Sequence, residues 1–478
     1  MEQVIQKAMK TPEQFQNFIK NISDKANFCQ QFYQVSLENN YKYHEAQLKY
    51  ILKIQISTEL LLIQQQFILQ YFYKLPDFIL NTIFQSIIQL VLNNQDTDLT
   101  PYIQLFQFFD EAIIGFKKQL RKQIQPLFLN IQRLSMEENQ FLDNFYLFLF
   151  QLEQLFQGFE LILLENMMHS LVLLDIQTEI YADQRKFEFT EHRLTESDIS
   201  ASLKGMSILQ QPSNVTTSEP SNNIPIQPKL VNSLQQIDSL LFVLITYLSN
   251  KDEVFLQTQF MSLFITIVLP IQNLKYAPFL IFPLLQNENL QNSIFGQLFQ
   301  LAFANPQTPI NIVVITVDYI SSLLCYSQSI QPIFTEQILT ALLQISNELL
   351  LVNNSRLEQK FDLNTPGAQR AILSVRAFVR IVSFAWKTIS IQQFESGVKA
   401  LLLSQIFSFI GGFVEDFSRI LINIGAFEAD VIQCVAEQAQ HRYSIDIFEQ
   451  GLLGRIQLQK SSAFIEDLYR DDMDLGDE

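Results

Sequence analysis

The sequence predicts an all-α fold: a HEAT-repeat-like α-solenoid of stacked antiparallel helix pairs with a flexible central insertion. Three observations carry this. Over residues 237–350, apolar side chains recur at helical spacing in units that return roughly every 40 positions, the period of stacked helix pairs. Strand-like alternation is scarce, and many of the 12 glycines and 15 prolines lie between helical patterns. Over residues 181–229 the apolar period gives way to Ser, Thr, Asn, Gln and Pro, a composition that buries too little apolar surface to offset chain ordering. A single pair has too little partner surface to cover its own apolar stripe, so neighbours must stack.

The chain has 478 residues, long for one compact core and ordinary for a solenoid. It carries 32 basic and 49 acidic residues, a net charge of −17, which repels nucleic-acid phosphates and favours basic protein surfaces. Contact with DNA is therefore at most secondary and needs a local basic patch. Cys29, Cys325 and Cys434 are isolated and odd in number, which implies a reducing compartment and no disulfide frame. Residues 1–10 lack an apolar signal core, and no uncharged apolar run reaches bilayer length. The expectation is a soluble intracellular chain with no membrane partner. The abundance of Phe, Gln and Asn is read as compositional bias and given no functional weight.

Taken in order, the elements follow from start signals and stripes. Thr11-Pro12-Glu13 reads as a helix start, followed by the apolar residues Phe15, Phe18, Ile19 and Ile22. Leu48, Ile51 and Leu52 begin the next stripe, and Ile79, Ile83, Ile87, Ile88 and Val91 give a cleaner helix ended by Asn93-Asn94. Thr100-Pro101 opens another, facing Leu105, Phe106 and Phe109 inward. Pro126 predicts a kink or a break. Ser135 to Glu138 reads as a capping box, and the register from Phe141 through Leu163 predicts the longest continuous helix. Beyond the insertion, Ile237, Leu240, Leu241, Leu244, Ile245 and Leu248 form a stripe. Phe260, Met261, Phe264, Ile265, Ile267 and Val268 form another, stopped by Pro270. Ile294, Leu298 and Leu301 mark a helix ended by Asn305-Pro306. Val313, Val317, Ile320 and Leu324 mark the next, and Phe334, Ile338, Leu342, Ile345 and Leu349 the one after. Asn364-Thr365-Pro366 caps a helix facing Ile372, Val375, Val379 and Val382 inward, with Trp386 near its end. Residues 401–414 are strongly apolar with a break at Gly411-Gly412. The domain reading is N-terminal repeats over 1–180, the insertion over 181–229, C-terminal repeats over 230–465 and an acidic disordered tail over 466–478.

Catalytic chemistry finds no footing. His44, His169, His192 and His441 and the three cysteines lack the paired spacing of a metal site. There is no phosphate-binding glycine loop, no dinucleotide fingerprint and no nucleophile elbow. No acidic pair stands on an apolar ground as a general acid and base. The chain is read as a non-enzyme with no cofactor.

The candidates are for partner binding. Lys117, Lys118, Arg121 and Lys122 fall on one side of a helix, and Arg376, Arg380 and Lys387 form a second stripe. A solvated helix face is the ordinary reading of both; contact with acidic protein loops or promoter phosphates is the functional one. Tyr319 and Ser322 lie on the central helix, where packing is the ordinary role and partner contact the functional one. Thr195, Ser197 and Ser200 sit beside acids in the insertion. Linker composition accounts for them, and phosphorylation by an acid-directed kinase is the functional alternative.

Phrases in three regions of the chain carry a family resemblance. Val313 to Leu324, reading VVITVDYISSLL, resembles the "…A..YI.S.LARA" helix of the RNA polymerase I-specific initiation factor family, and Asp238-Ser239-Leu240-Leu241 with residues 260–270 resembles its "LD.L…Y….F….F…ILP" segment. Asp175, Ile176, Gln177, Glu179 and Ile180 resemble the family's "IDVEIQ" phrase, which precedes a long acidic or polar insertion. Tyr443-Ser444-Ile445-Asp446 resembles "FPFDP" with Ser444 for the first proline, and residues 460–469 resemble "KRS..FI.PIY" with Asp467 for proline. The resemblance implies a non-catalytic HEAT-repeat factor that binds RNA polymerase I at its stalk and adjoining surface. It implies a bridge from there to the promoter-bound core factor, enabling ribosomal RNA synthesis. It further implies tuning by phosphorylation, homodimerisation of the free factor, and placement in the nucleus and nucleolus. The alternative reading is a HEAT-type nuclear transport receptor or general protein-binding adaptor.

Overall fold

A computed structural model describes residues 25–39, 45–52, 61–93, 98–131, 142–156, 158–191, 228–272, 274–354, 365–394 and 396–398, with isolated positions at 13, 15, 401, 406, 417, 419–420 and 460–461. Among them the architecture is all-α, and no β-strand occurs. The chain divides into two compact units, residues 1–243 and 244–478.

The first unit is two layers of helices. Helices α1 (Lys25–Asn39), α3 (Leu61–Phe72), α5 (Thr100–Ala112) and α7 (Leu142–Leu155) pack in succession. Helices α2 (Glu45–Leu52), α4 (Pro76–Asn93), α6 (Phe116–Ile131) and α8 (Glu160–Glu191) form the second succession. The connections at 73–75, 113–115 and 156–159 are short, so α4, α6 and α8 each pack back on the helix before. Apolar faces close between the layers: Leu80, Ile83 and Ile87 of α4, Leu105, Phe106 and Phe109 of α5, and Leu120 and Ile124 of α6 are all buried. The repeat is also visible in hydrogen bonds between like positions of successive pairs. The Tyr73 hydroxyl donates to the Ala112 carbonyl at 3.3 Å, 39 positions on, and Arg121 Nη2 donates to the Gly158 carbonyl at 3.2 Å, 37 positions on.

The unit boundary falls within α9 (Pro228–Ser249). By length and composition, its Val231–Ser249 stretch is apolar enough to cross a membrane, which the sequence reading did not anticipate. It carries Asp238, and 72% of that stretch is buried inside the protein, as a core helix requires.

The second unit continues the pairing through α10 (Glu253–Val268), α11 (Glu288–Phe299), α12 (Ile310–Tyr326), α13 (Pro332–Asn354) and α14 (Pro366–Ala385). Asp252 caps α10 by accepting from the Phe255 N–H, Asn287 caps α11, and Thr365 caps α14 by accepting from the Ala368 N–H. The same period recurs here. Gln297 Nε2 donates to the Gln257 carbonyl at 2.8 Å, 40 positions away, and Gln331 Nε2 donates to Glu288 Oε1 at 3.0 Å, 43 positions away. Helix α14 packs on both α12 and α13.

Four local expectations differ from the structure. Helix α6 runs through Pro126 without ending. Pro126 and Lys122 are exposed, so the carbonyl that loses its donor lies on the solvent side of the helix. The predicted long helix over 141–163 is instead two, α7 and α8. Gly158 takes φ +78 between them, a left-handed conformation that ends helical register. Helix α8 continues to Glu191, through residues that the sequence assigns to the insertion. Residues Ala277–Gln286, given no element by the sequence, form a buried 3-10 helix carrying Pro278 and Pro283. Its threefold period escapes a search tuned to 3.6. Within α10, Leu256–Phe260 and Phe264–Val268 are π-helical, and Gln300–Ala304 extends α11 the same way. Apart from Glu13, the helix start at 11–12 lies outside the described residues, as do the capping box at 135–138, residues 192–227, the Gly411-Gly412 break and the tail.

Gly158→Ala places a side chain in left-handed backbone where its Cβ meets Arg121 Nη2 only at ordinary contact distance, 3.4 Å. The cost is therefore conformational, about 1 kcal/mol. Urea unfolding should show a lower midpoint for G158A at unchanged slope.

Candidate functional site

Two places gather the candidate residues, one in each unit. In the first unit, the chain turns from α5 to α6 through Ile113-Ile114-Gly115, and Gly115 takes φ +85, which permits the tight reversal. Phe116 is buried at the start of α6, and Leu120, Ile124 and Leu127 continue its inner face. Lys118, Arg121 and Lys122 are consequently exposed, and Lys117 is half-buried. The Lys117 ammonium lies 3.3 Å from Asp110 Oδ2 and 5.8 Å from the centre of the Phe156 ring. The structure thus gathers these four residues on one outer face, beside the α7–α8 turn that Arg121 clasps through Gly158.

In the second unit the expected exposed stripe is corrected. Arg376, Arg380 and Lys387 do not share a solvated face. Lys387 is exposed, with its ammonium 5.6 Å from the Trp386 ring centre, but Arg380 is 1% exposed. Helix α14 lies between α12 and α13, so most of its circumference meets protein. Arg376 Nη2 lies 2.8 Å from Asp318 Oδ1, with both side chains largely covered. Arg380 Nη1 donates to Ser321 Oγ at 3.0 Å, and that hydroxyl donates to the Asp318 carbonyl at 3.1 Å. Burial pushes the Asp318 carboxyl above its ordinary range, while Arg376 and Arg380 pull it back down. Tyr319 and Ser322 are fully buried, and Tyr319 meets Phe264 edge-on with ring centres 5.7 Å apart. The central helix thus serves packing. Tyr319, Ser322 and Arg380 reach no partner while α10, α12 and α14 stay together.

Sequence reasoning missed three surface features. Ile114 is fully exposed and Tyr73 is 67% exposed, both beside the basic face. The missed signal was an aliphatic pair directly before a turn glycine. A groove of about 420 Å³ lies between the end of α11 and α13, lined by Phe299, Phe303, Ile345 and Leu349 with Glu348 at its side. It is assembled by residues some 40 positions apart, which no local pattern reveals. Thr195, Ser197 and Ser200 lie outside the described residues.

A family model described as RNA polymerase I specific transcription initiation factor RRN3 matches residues 135–423. The span contains the phrases around Asp175, Asp238 and Tyr319; the basic face of α6 precedes it and the C-terminal phrase follows it. Among solved structures, the crystal structure of RNA Polymerase I Transcription Initiation Factor Rrn3 is similar at a TM-score of 0.64 and 12% identity, covering 98% of each chain. At that identity the likeness is one of fold. No curated protein matches.

Arg380→Ala removes the guanidinium that donates to Ser321 Oγ and empties a fully buried site, while Arg376 stays on Asp318. It should destabilise the second unit by about 3 kcal/mol in urea unfolding. The raised Asp318 pKa means that the native chain takes up a proton before the unfolded chain does. Its contribution to stability is therefore largest at acid pH and declines as pH rises from about 3.8 through the higher native value. Unfolding across that window should show wild type losing stability relative to Asp318→Asn as pH rises.

Proposed function

The chain belongs to the family of the RNA polymerase I specific transcription initiation factor RRN3, and from that premise we propose that it is the non-catalytic bridge between RNA polymerase I and promoter-bound core factor. The family match over residues 135–423 carries this reading. Family membership makes it a polymerase I initiation factor with a nuclear function. The finer reading is attachment at the polymerase stalk and adjoining subunits, with promoter-bound core factor as the second partner. The nucleolus, where ribosomal RNA is made, is its proposed place. Stacked helix pairs suit such a role, because they present long surfaces without needing a reactive centre.

The face formed by Lys117, Lys118, Arg121 and Lys122 is the proposed partner surface of the first unit, and the groove beside Phe303 that of the second. Phosphorylation at Thr195, Ser197 or Ser200 would add up to about two negative charges per site and weaken contact with acidic partners. Homodimerisation of the free chain is part of the same reading. Residues 192–227, between α8 and α9, are proposed to be a linker between repeats, and residues 466–478 an acidic tail.

Tagged protein expressed in its own cells should recover polymerase I subunits, identified by mass spectrometry. Recovery of nuclear-import cargo without polymerase subunits would favour the transport-receptor reading instead.

A further inference from the structure

We propose that the turn edge of the first unit is a docking surface for an acidic protein segment carrying an apolar anchor residue. This rests on the reading of the α6 face as a partner surface, and it names what the partner must present.

The surface is continuous across three successive turns. Tyr73, at the α3–α4 turn, is tied to the α5–α6 turn by its hydroxyl at 3.3 Å from the Ala112 carbonyl. Beside that carbonyl stands the fully exposed Ile114. The first turns of α6 follow with Lys117, Lys118, Arg121 and Lys122, and Arg121 reaches the α7–α8 turn through the Gly158 carbonyl. Lys74 is exposed next to Tyr73. Lys117 is answered by Asp110 at 3.3 Å, whereas among the described residues no carboxylate lies within ion-pair distance of Lys118, Arg121 or Lys122.

Charge and shape together select the occupant. The chain as a whole is at −17, so this basic group is a local exception. Beyond roughly 8 Å at physiological salt its field is screened, and only a short segment lying on it feels mainly the positive charge. A long duplex would bring many phosphates toward a chain whose net charge is −17 and be repelled. An exposed isoleucine and a tyrosine gain nothing from a phosphate backbone, but they gain from covering an aliphatic or aromatic side chain. Acids flanking one apolar residue meet both demands.

Fluorescence anisotropy of a labelled Asp/Glu-rich peptide with a central Phe, added to the full chain, tests this. Binding is expected that weakens with added salt and falls at least about tenfold in Lys118→Glu/Arg121→Glu/Lys122→Glu. It should also weaken in Ile114→Ser, which leaves the charge unchanged; circular dichroism checks that both variants are folded. Absence of binding, equal binding by the charge-reversed variant, or equal affinity for duplex DNA would overturn the proposal. Failure of the family role is a separate outcome: the chain would then bind this peptide yet recover no polymerase I.

Discussion

Each helix pair closes part of its apolar face on the next pair, and in the first unit phenylalanine rings run across those joints. Phe72 meets Phe109 at 5.3 Å and Phe116 at 5.8 Å between ring centres, and Phe116 meets Phe156 at 6.0 Å. A second line runs from Phe84 through Phe106 to Phe148. These rings belong to successive pairs, so they link repeat to repeat. Burying each stabilises by about 1.5–3 kcal/mol, against less than about 1 kcal/mol for a half-exposed ion pair such as Lys117–Asp110. The interior therefore sets the stack, and the charged edges are left for other uses.

The second unit solves the same problem with a charged group inside. Helix α14 has protein on two sides, yet its sequence places Arg370, Arg376 and Arg380 along it. Each finds oxygen. Arg370 donates to the carbonyls of Asn305 and Thr308, Arg376 to Asp318, and Arg380 to Ser321. Planar guanidinium groups suit this, because several donors can be directed at once. The buried charges hold α14 in register against α12 and against the end of α11, which greasy packing alone would fix less well. A helix that resembles a family signature is thereby a structural keystone, and its polar residues serve the fold.

The proposed partner surface falls on turns and outer faces. At the turns the backbone changes direction, glycines take left-handed angles, and side chains such as Ile114 cannot reach the core. On the proposed reading, the basic edge of α6 in an acidic chain would favour a complementary protein segment over nucleic acid.

Amino-acid order alone determined the helical class, the period of the repeats and most helix ends. Those depend on spacing along one chain, on prolines such as Pro270 and on caps such as Thr365. The family phrases were legible for the same reason: they are contiguous. Tertiary structure decided which polar residues face inward. Arg380 and Lys118 have the same charge and comparable helical neighbours, but α14 is enclosed by two helices while the outer side of α6 is not. No local pattern carries that difference, because burial is set by what packs from elsewhere in the chain. It also decided the breaks that need a positive φ at Gly158, the 3-10 helix over Ala277–Gln286, and the groove joining α11 to α13.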